Sequence, residues 1–280
     1  MIMRRLLYIL TLAALLTACE FRPLVEFSNV HYVRVYIDED IKNVTTGFYN
    51  EDYEKPDYES PYVLRLTLAD PESGEVMTER FLRDIREDEL GTYYEGYIIA
   101  NPGTYTLMAY NFDTRVTRID APGNHKKAKA YTNLIPPHVK TRIQSKNVKS
   151  SNEKIVYDPD HLFVANCGET VIGYSDDLDT LKTPDGDWIH AKSIVKSYYL
   201  QVRIKGMQYV SSAVSLLSGM SGSAWLWNGA ADMQDKSTIY FEMIPGQTPS
   251  TGLSKAPDDE EVILYTTFST FGKIPDEDNS

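Results

Sequence analysis

The sequence predicts an all-β protein with two antiparallel β-sandwich domains in tandem. Three observations predict this fold class. Many short segments alternate apolar and polar residues with period two, turn signals separate these segments, and a single brief segment has a helical pattern. The chain has 280 residues, more than a single core usually needs, so two domains are expected.

The first domain is expected over residues 31–186. Its first strand, His31–Asp38, alternates tyrosine and arginine against valine and isoleucine, as a half-buried strand does. The turn Asn101–Gly103 predicts a hairpin between the strands on either side of it. The later strands of this domain are expected at 62–68, 75–82, 93–100, 104–111, 154–157, 161–165 and 170–174.

The second domain is expected over residues 187–280, with the boundary at the turn Thr183–Asp187. Apolar residues at Val210, Ala213, Val214 and Leu217 follow the spacing i, i+3, i+4, i+7, which predicts one short helix. Strands are expected at 193–204, 223–227, 238–244 and 261–271.

The first residues of the chain have the pattern of an export signal. Arg4 and Arg5 precede the uncharged run Leu6–Leu16 and the small residues before Cys19. The run is shorter than the roughly 20 residues that a spanning helix needs. The pattern resembles the bacterial lipobox, which implies a signal peptide over 1–18, a lipidated tether over 19–30, and a membrane anchor on acylated Cys19.

Charge and cysteine content exclude some partners and leave others. The net charge of −12 argues against nucleic acid as a partner. If Cys19 carries lipid, Cys167 has no cysteine left to pair with, and the fold must rest on its core. Cys167 is either a buried small apolar residue or a reactive thiol.

No motif predicts a reaction, a metal or a cofactor, so we expect a protein that is not an enzyme. The five histidines are scattered, without a second ligand at helical or hairpin spacing. The segment Gly219–Ser223 lacks the final glycine of a serine nucleophile elbow and leads into a strand pattern. Clustered aspartates fit surface turns better than a calcium loop.

The segment from His125 to Lys154 is basic in an otherwise acidic chain. It is either a solvated cover over a sheet edge or a docking patch for an acidic partner or lipid head groups. The candidate partner-binding residues are Lys126, Lys127, Lys129, Lys140 and Arg142.

Two groups of aromatic residues could stack sugar rings if they were exposed together. The alternative is that these rings pack across sheets, where aromatic residues are common. The candidate glycan platform consists of Tyr93, Tyr94 and Tyr97 on one strand, and Trp225 and Trp227 on another.

Spaced positions along the mature chain resemble a group of lipoproteins of unknown function related to fimbrillins. These proteins occur in Gram-negative anaerobes, and their relatives include subunits and membrane anchors of type V pili. The residues that carry the resemblance are Ala18–Glu20, Val33–Val35, Asn101–Tyr105 with Asn111, Tyr199, Val202 and Ile204, and Leu216–Ser223.

The resemblance implies two transthyretin-like β-sandwich domains on the outer membrane, facing the cell surface. It implies a fimbrial anchor or accessory subunit that binds fimbrillin-type subunits by β-strand addition. A glycan-binding surface lipoprotein is the alternative. In the family, further strands usually follow the segment that corresponds to Phe268–Gly272, whereas eight residues follow it here. The second domain is therefore expected to lack one or more terminal strands; the alternative is a sandwich that other strands of the chain complete.

Overall fold

The computed structural model describes residues 29–38, 60–144, 153–173, 179–206, 209–210, 212–245 and 261–275. The predicted all-β class is confirmed, with one short helix, α1, at Pro137–Gln144 in the described residues. The signal peptide, most of the tether and Cys19 lie outside them. The strands are β1 Val30–Asp38, β2 Leu64–Ala69, β3 Val76–Leu82, β4 Asp84–Asp88, β5 Gly91–Ile99, β6 Gly103–Asn111, β7 Thr117–Asp120, β8 Lys129–Thr132, β9 Lys154–Tyr157, β10 Phe163–Ile172, β11 Asp179–Leu181, β12 Ile189–Ser193, β13 Lys196–Lys205, β14 Ala213–Ser221, β15 Ser223–Trp225, β16 Lys236–Pro245 and β17 Glu261–Thr270.

The largest sheet has nine strands and nearly closes on itself. Its order is β3-β2-β6-β10-β12-β1-β5-β4, and β11 also pairs with β1. The end strands β3 and β4 are consecutive in the chain, since only Arg83 separates them. Near this end of the sheet β5 also approaches β3. A Cβ atom at Gly96 of β5 would lie 2.8 Å from Leu82 Cδ2 of β3, so glycine allows this close approach.

Alternate residues of these strands fill the interior of the large sheet. Period two directs one face of each strand inward, and the large apolar residues of that face are almost fully buried. This first core includes Val33, Val35, Ile37, Leu64, Leu66, Leu68, Leu82, Tyr94, Ile98, Leu107, Phe163, Ile172, Leu181 and Ile189.

The sheets contain both parallel and antiparallel strand pairs, whereas the sequence predicted antiparallel pairs alone. β1 lies between β5, which runs antiparallel to it, and β12, which runs parallel to it. β11 also pairs in parallel with β1, and β9 with β16. Parallel neighbours need long crossover connections, which local turn signals cannot reveal, so the sequence pattern missed these three pairs.

The second sheet has the order β13-β17-β16-β14, and β9 also pairs with β16. β13 and β17 form a ten-pair antiparallel ribbon from Lys196 opposite Thr270 to Lys205 opposite Glu261. This ribbon and the β9-β16-β14 portion enclose a core that includes Val156, Ile239, Phe241 and Phe268. Helix α1 covers the opposite face of β9 and β16 through Ile135, Val139, Ile143, Ile155 and Tyr240.

A third sheet connects the other two. Its order is β15-β8-β7, so β15 from the later part of the chain pairs with β8 from the earlier part. Its residues pack on the outer face of the large sheet and form a core with it. Residues that flank β13 and β17 of the second sheet also belong to this core. This core comprises Met108, Tyr110, Ala128, Ala130, Leu162, Val164, Val195, Ala224, Leu226 and Phe271.

The helix predicted from Val210 to Leu217 was wrong. Residues Ala213–Ser221 form β14, which pairs antiparallel with β16. Valine and serine are weak helix formers, and the long-range pairing with β16 decides the conformation. The observed helix begins at Pro137, where the fixed φ of proline suits the first turn.

The expected boundary between residues 186 and 187 stays a prediction. Ile189–Ser193 pairs with β1 and β10, so these residues belong to the large sheet. A division of the chain by sheets would fall after Ser193. The second and third sheets also take in β7, β8 and β9, which precede the expected boundary.

Candidate functional site

The outer edge of β13 is the longest strand edge at an end of the second sheet. β13 has ten residues and ends the strand order of that sheet. Leu200, Val202 and Ile204 share one side-chain face, toward the second core, and all three are only half-buried. Opposite them on β17, Leu264 and Thr266 are buried. The apolar row on β13 is therefore incompletely covered by the described chain, and we name these three residues the β13 row.

The structure distributes the candidate basic residues over the turn before β8, β8 itself and α1. Lys126 and Lys127 are exposed at the turn before β8, and Lys126 Nζ donates to the Glu72 carbonyl oxygen at 2.6 Å. Lys140 and Arg142 are exposed on α1, where Arg142 donates to Ser212 Oγ at 2.7 Å. The five residues thus do not come from one continuous strip of surface.

Lys129 has its charge engaged within the fold. Its Nζ lies 2.6 Å from Asp232 Oδ2 and 4.9 Å from the centroid of the Trp225 ring. The same ion pair lowers the pKa of the Asp232 carboxyl. This lysine holds β8 against the segment after β15, which is a structural role.

The tyrosines of β5 do not form one exposed platform. Tyr94 is fully buried in the first core, since it points to the opposite face from Tyr93 and Tyr97. Tyr93 is 8% exposed beneath the Arg34 guanidinium, whose carbon lies 4.1 Å from the ring centroid. Tyr97 is exposed, but its ring is inclined at 59° to that of Tyr32. Sugar stacking on the full set of three is therefore excluded by the burial of Tyr94.

Arg34 organises the outer face of β1 and β5. Its guanidinium lies between the rings of Tyr93 and Trp188, at 4.1 and 4.9 Å from their centroids. It also donates to the hydroxyls of Tyr32 and Tyr36. The guanidinium therefore covers the ring faces of Tyr93 and Trp188, where a ligand would otherwise stack.

The two tryptophans occupy different environments. β15 ends at Trp225, so the alternation that predicted a shared face does not extend to Trp227. Trp225 is half-buried beneath Lys129, whereas Trp227 lies in the following turn with 48% of its surface exposed. The turn is held by Gly229 N–H donating to the Trp225 carbonyl at 2.8 Å.

Trp227 stands between two adjoining depressions, which we name together the Trp227 groove. The larger has a volume of about 710 Å³ and the smaller about 420 Å³, and both are lined by Asn166 and Trp227. Lys192, Lys196 and Lys273 line the larger depression, and Lys126 lines the smaller. Of the described residues that line either depression, none is an aspartate or a glutamate.

A bulge in β10 positions Asn166 in this groove. The register between β10 and β6 shifts between Asn166 and Glu169, and Gly168 has a φ of +67°. Asn166 Oδ1 accepts from Gly168 N–H at 3.2 Å, and its Nδ2 donates to the Trp227 carbonyl. Bulges of this kind re-aim side chains and are frequent beside functional sites.

Sequence reasoning found Trp227 and Lys126 but missed the other polar residues of the groove. Lys192, Lys196 and Lys273 are isolated lysines in the sequence, with no motif around them. Only the fold brings them to one surface, since Lys196 lies opposite Thr270, three residues before Lys273. Asn228–Gly229, a dipeptide typical of tight turns, is the local sequence feature that lines the groove with them.

Outside the groove, the sequence left Cys167 as either a packing residue or a reactive thiol. Burial raises the pKa of the Cys167 thiol to about 12, so the residue is a protonated, half-buried packing residue at neutral pH. Within the described ranges, no three His, Cys, Asp or Glu residues are grouped as metal ligands would be. The same ranges contain no helix long and apolar enough to cross a membrane.

Sequence comparison identifies a family and a relative. A family model described as Domain of unknown function (DUF5119) matches residues 71–242. A Bacteroides ovatus protein, named as a candidate fimbrium anchoring subunit, Fim4B, is 29% identical over 170 residues. The alignment covers 60% of this chain and 46% of Fim4B, so the chain spans about half the length of that relative.

Structural comparison finds the same fold in a solved protein. The crystal structure of a candidate adhesin from Bacteroides ovatus has a TM-score of 0.54 at 21% identity, covering 94% of this chain and 74% of that chain. The fimbrial anchor protein Mfa2 from Porphyromonas gingivalis has a TM-score of 0.43 at 12% identity, covering 88% and 74%.

Proposed function

The chain belongs to the DUF5119 family, and we propose that it is a structural anchor or accessory subunit of a fimbrium. The similarity to Fim4B, which is named as a candidate fimbrium anchoring subunit, supports this proposal. The predicted resemblance to a family of unknown function with fimbrial relatives is confirmed. In this role the protein acts by holding partners and not by catalysis.

The incomplete burial of the β13 row is the main structural support for the proposal. An added strand beside β13 would pair with its backbone and cover Leu200, Val202 and Ile204 at the same time. Each of these side chains is half-buried already, so a partner strand would remove further apolar surface from water. A fimbrillin-type subunit that contributes an extended segment is the partner with this chemistry.

Lipidation of Cys19 completes the proposed role. Arg4, Arg5, the apolar run and Cys19 have the order of a lipoprotein export signal. Several acyl chains on one residue would fix the protein to the outer membrane, because each buried methylene contributes about 0.8 kcal/mol. The protein would then join the base of a fibre to the cell surface.

Two variants on neighbouring residues of β13 test the strand-addition step. Val202→Glu places a charge in the β13 row, and Arg203→Glu places the same charge on the exposed opposite face. The tagged full chain would be recovered from native-host membranes in mild detergent, and its partners identified by mass spectrometry. Fimbrillin-type subunits should accompany the wild type and Arg203→Glu, but not Val202→Glu.

Two further measurements keep this test decisive. Protease resistance of the purified variants shows whether Val202→Glu still folds; if it does not, Val202→Thr provides a milder change. Cys19→Ala should abolish incorporation of radiolabelled palmitate and release the protein from the membrane fraction. Recovery of no fimbrial subunit with the wild type would refute the proposal.

A further inference from the structure

We propose that the Trp227 groove binds an acidic polysaccharide, one that carries carboxylate or sulfate groups on its sugar rings. None of the three residues of the β13 row lines the groove, although Lys196, the first residue of β13, does; the groove would add a binding activity to the structural role. Its features are a half-exposed indole, two amide side chains and a set of lysines that no carboxylate neutralises within the groove.

The charge of the groove is opposite to that of the whole chain. The protein has 40 acidic and 28 basic residues, yet the described residues that line the groove include four lysines and no acid. Lys196 and Lys273 are exposed and have no ion-pair partner in the described part of the chain. Lys192 Nζ lies 4.0 Å from Asp38, with 75% of its side chain exposed. The charges of Lys192, Lys196 and Lys273 are therefore available to an anion, whereas Lys126 Nζ already donates to the Glu72 carbonyl.

The aromatic component distinguishes a sugar from a simple anion. Trp227 keeps 48% of its surface exposed, and the structure shows no ring or cation stacked on it within the described residues. An indole ring is large and rigid, so the apolar face of a sugar ring can pack against it and be removed from water. Asn166 and Asn228 line the same depression. Asn166 Nδ2 donates one N–H to the Trp227 carbonyl and Asn228 Oδ1 accepts from Ala230 N–H, which leaves the second N–H of Asn166 and the Nδ2 group of Asn228 for sugar hydroxyls.

The backbone around the groove argues against an acidic peptide as the occupant. Peptide recognition by strand addition needs free backbone groups along a strand edge. Among the lining residues, Ile194 N–H donates to the Leu162 carbonyl, Gly229 N–H donates to the Trp225 carbonyl, and the Gly272 carbonyl accepts from Ser221 N–H. The walls are turns and strand ends with paired backbone, so side chains must make the recognition.

The groove also has the rigidity that a binding site requires. The bulge at Asn166 holds the Trp227 carbonyl, and the turn packs Gly229 against Ile194. Leu226 and Phe271, directly beside the groove, belong to the core that joins the three sheets. The indole is thus presented by a fixed turn and not by a loop that must order on binding.

The test uses the full chain in mild detergent and affinity gel electrophoresis with four probes. Polygalacturonate and dextran sulfate supply carboxylate and sulfate on sugars, dextran supplies the neutral sugar, and poly-L-glutamate supplies acidic peptide. We expect retardation by one or both acidic polysaccharides, weaker at high salt, and little retardation by dextran or poly-L-glutamate. Retardation by one acidic polysaccharide alone would identify which anion the groove prefers.

Three variants assign the binding to the groove. Trp227→Ala and the double variant Lys196→Gln/Lys273→Gln should each weaken binding by about tenfold, the equivalent of one lost favourable contact. Lys140→Gln removes a charge from α1, outside the groove, and should leave binding unchanged. The lysine double variant alters only exposed side chains, so it remains informative if Trp227→Ala disturbs the turn.

Several results would overturn the proposal. These are failure of both acidic polysaccharides to bind the wild type, equal binding by the lysine double variant, and retardation by poly-L-glutamate as strong as that by the polysaccharides. The last result would assign the groove to an acidic peptide instead.

Discussion

The rings of Phe241 and Phe268 stack face to face, with centroids 4.1 Å apart and an interplanar angle of 6°. Phe241 belongs to β16 and Phe268 to β17. Their contact joins the β9-β16-β14 portion of the second sheet to the β13–β17 ribbon across the second core. The ribbon presents the β13 row, so this pair supports the proposed partner-binding surface directly.

Removing one ring of this pair should strongly destabilise the second core. Phe268 is 7% exposed, and Phe268→Ala should lower the free energy of unfolding by about 3–5 kcal/mol, as buried phenylalanines typically do. Tyr198 also stacks on Phe268, with ring centroids 5.4 Å apart, but is 45% exposed. Tyr198→Ala should therefore cost clearly less in urea unfolding. Equal losses for the two variants would mean that the Phe241 contact has no special role.

Asp158 should make the protein less stable at neutral pH than at mildly acidic pH. Burial raises the pKa of its carboxyl to about 6, from 3.8, although two backbone N–H groups favour the charged form. The folded state thus binds the proton more tightly than the unfolded state. The stabilising contribution is present below about pH 4 and is lost as the pH rises through about 6.

Asp158→Asn tests this directly. The variant should gain up to about 3 kcal/mol over the wild type at pH 7.5, at 1.36 kcal/mol per pKa unit, and almost nothing at pH 4. Urea unfolding at both pH values measures the difference. Asp185→Asn, at an exposed turn, removes the same charge without the burial and serves as the control. A gain that does not change with pH would contradict the assignment.

His125 should have the opposite pH dependence. Thr67 Oγ1 donates to the Met108 carbonyl, so His125 Nε2–H donates to Thr67 Oγ1 at 2.7 Å. Burial, with repulsion from Arg65, lowers the pKa of this imidazole to about 4 from 6.5. The unfolded chain takes up the proton first, so stability present above pH 6.5 is lost as the pH falls toward 4.

His125→Gln should flatten that loss, because glutamine keeps an N–H donor and does not titrate. The wild type should lose about 3 kcal/mol more than the variant between pH 7 and pH 4. The slope of stability against pH is the readout, since the substitution also changes packing at every pH. His138→Gln, at an exposed position of α1, should retain the wild-type slope.

The sequence predicted local strands well where short apolar runs lie between polar flanks. β9 was expected at 154–157 and forms there, and the strand expected over 261–271 forms over Glu261–Thr270. Each segment holds a short apolar run, Ile155–Tyr157 or Val262–Tyr265, directly after a charged residue. In these cases the local pattern and the long-range pairing favour the same structure.

Features decided by distant residues could not be predicted in this way. The spacing from Val210 to Leu217 fits a helix and a half-buried strand, and pairing with β16 selects the strand. The lysines of the Trp227 groove are brought together by the β13–β17 register. Tyr94 and Tyr97 are both on β5, but only the packing of the large sheet shows which one it buries.

The turn that carries Trp227 should depend on Gly229 more than the β10 bulge depends on Gly168. Both glycines have a φ of +67°, in the left-handed region that costs other residues about 1–2 kcal/mol. A Cβ atom at Gly229 would lie 2.9 Å from Ile194 Cγ2, whereas a Cβ atom at Gly168 meets nothing within 4 Å. Gly168→Ala should thus show the backbone cost alone. Gly229→Ala should show that cost and the displacement of Ile194, with a larger loss in urea unfolding and a changed Trp227 fluorescence. Equal losses would mean that the turn moves away from Ile194 without penalty, and that the position of the indole does not depend on this contact.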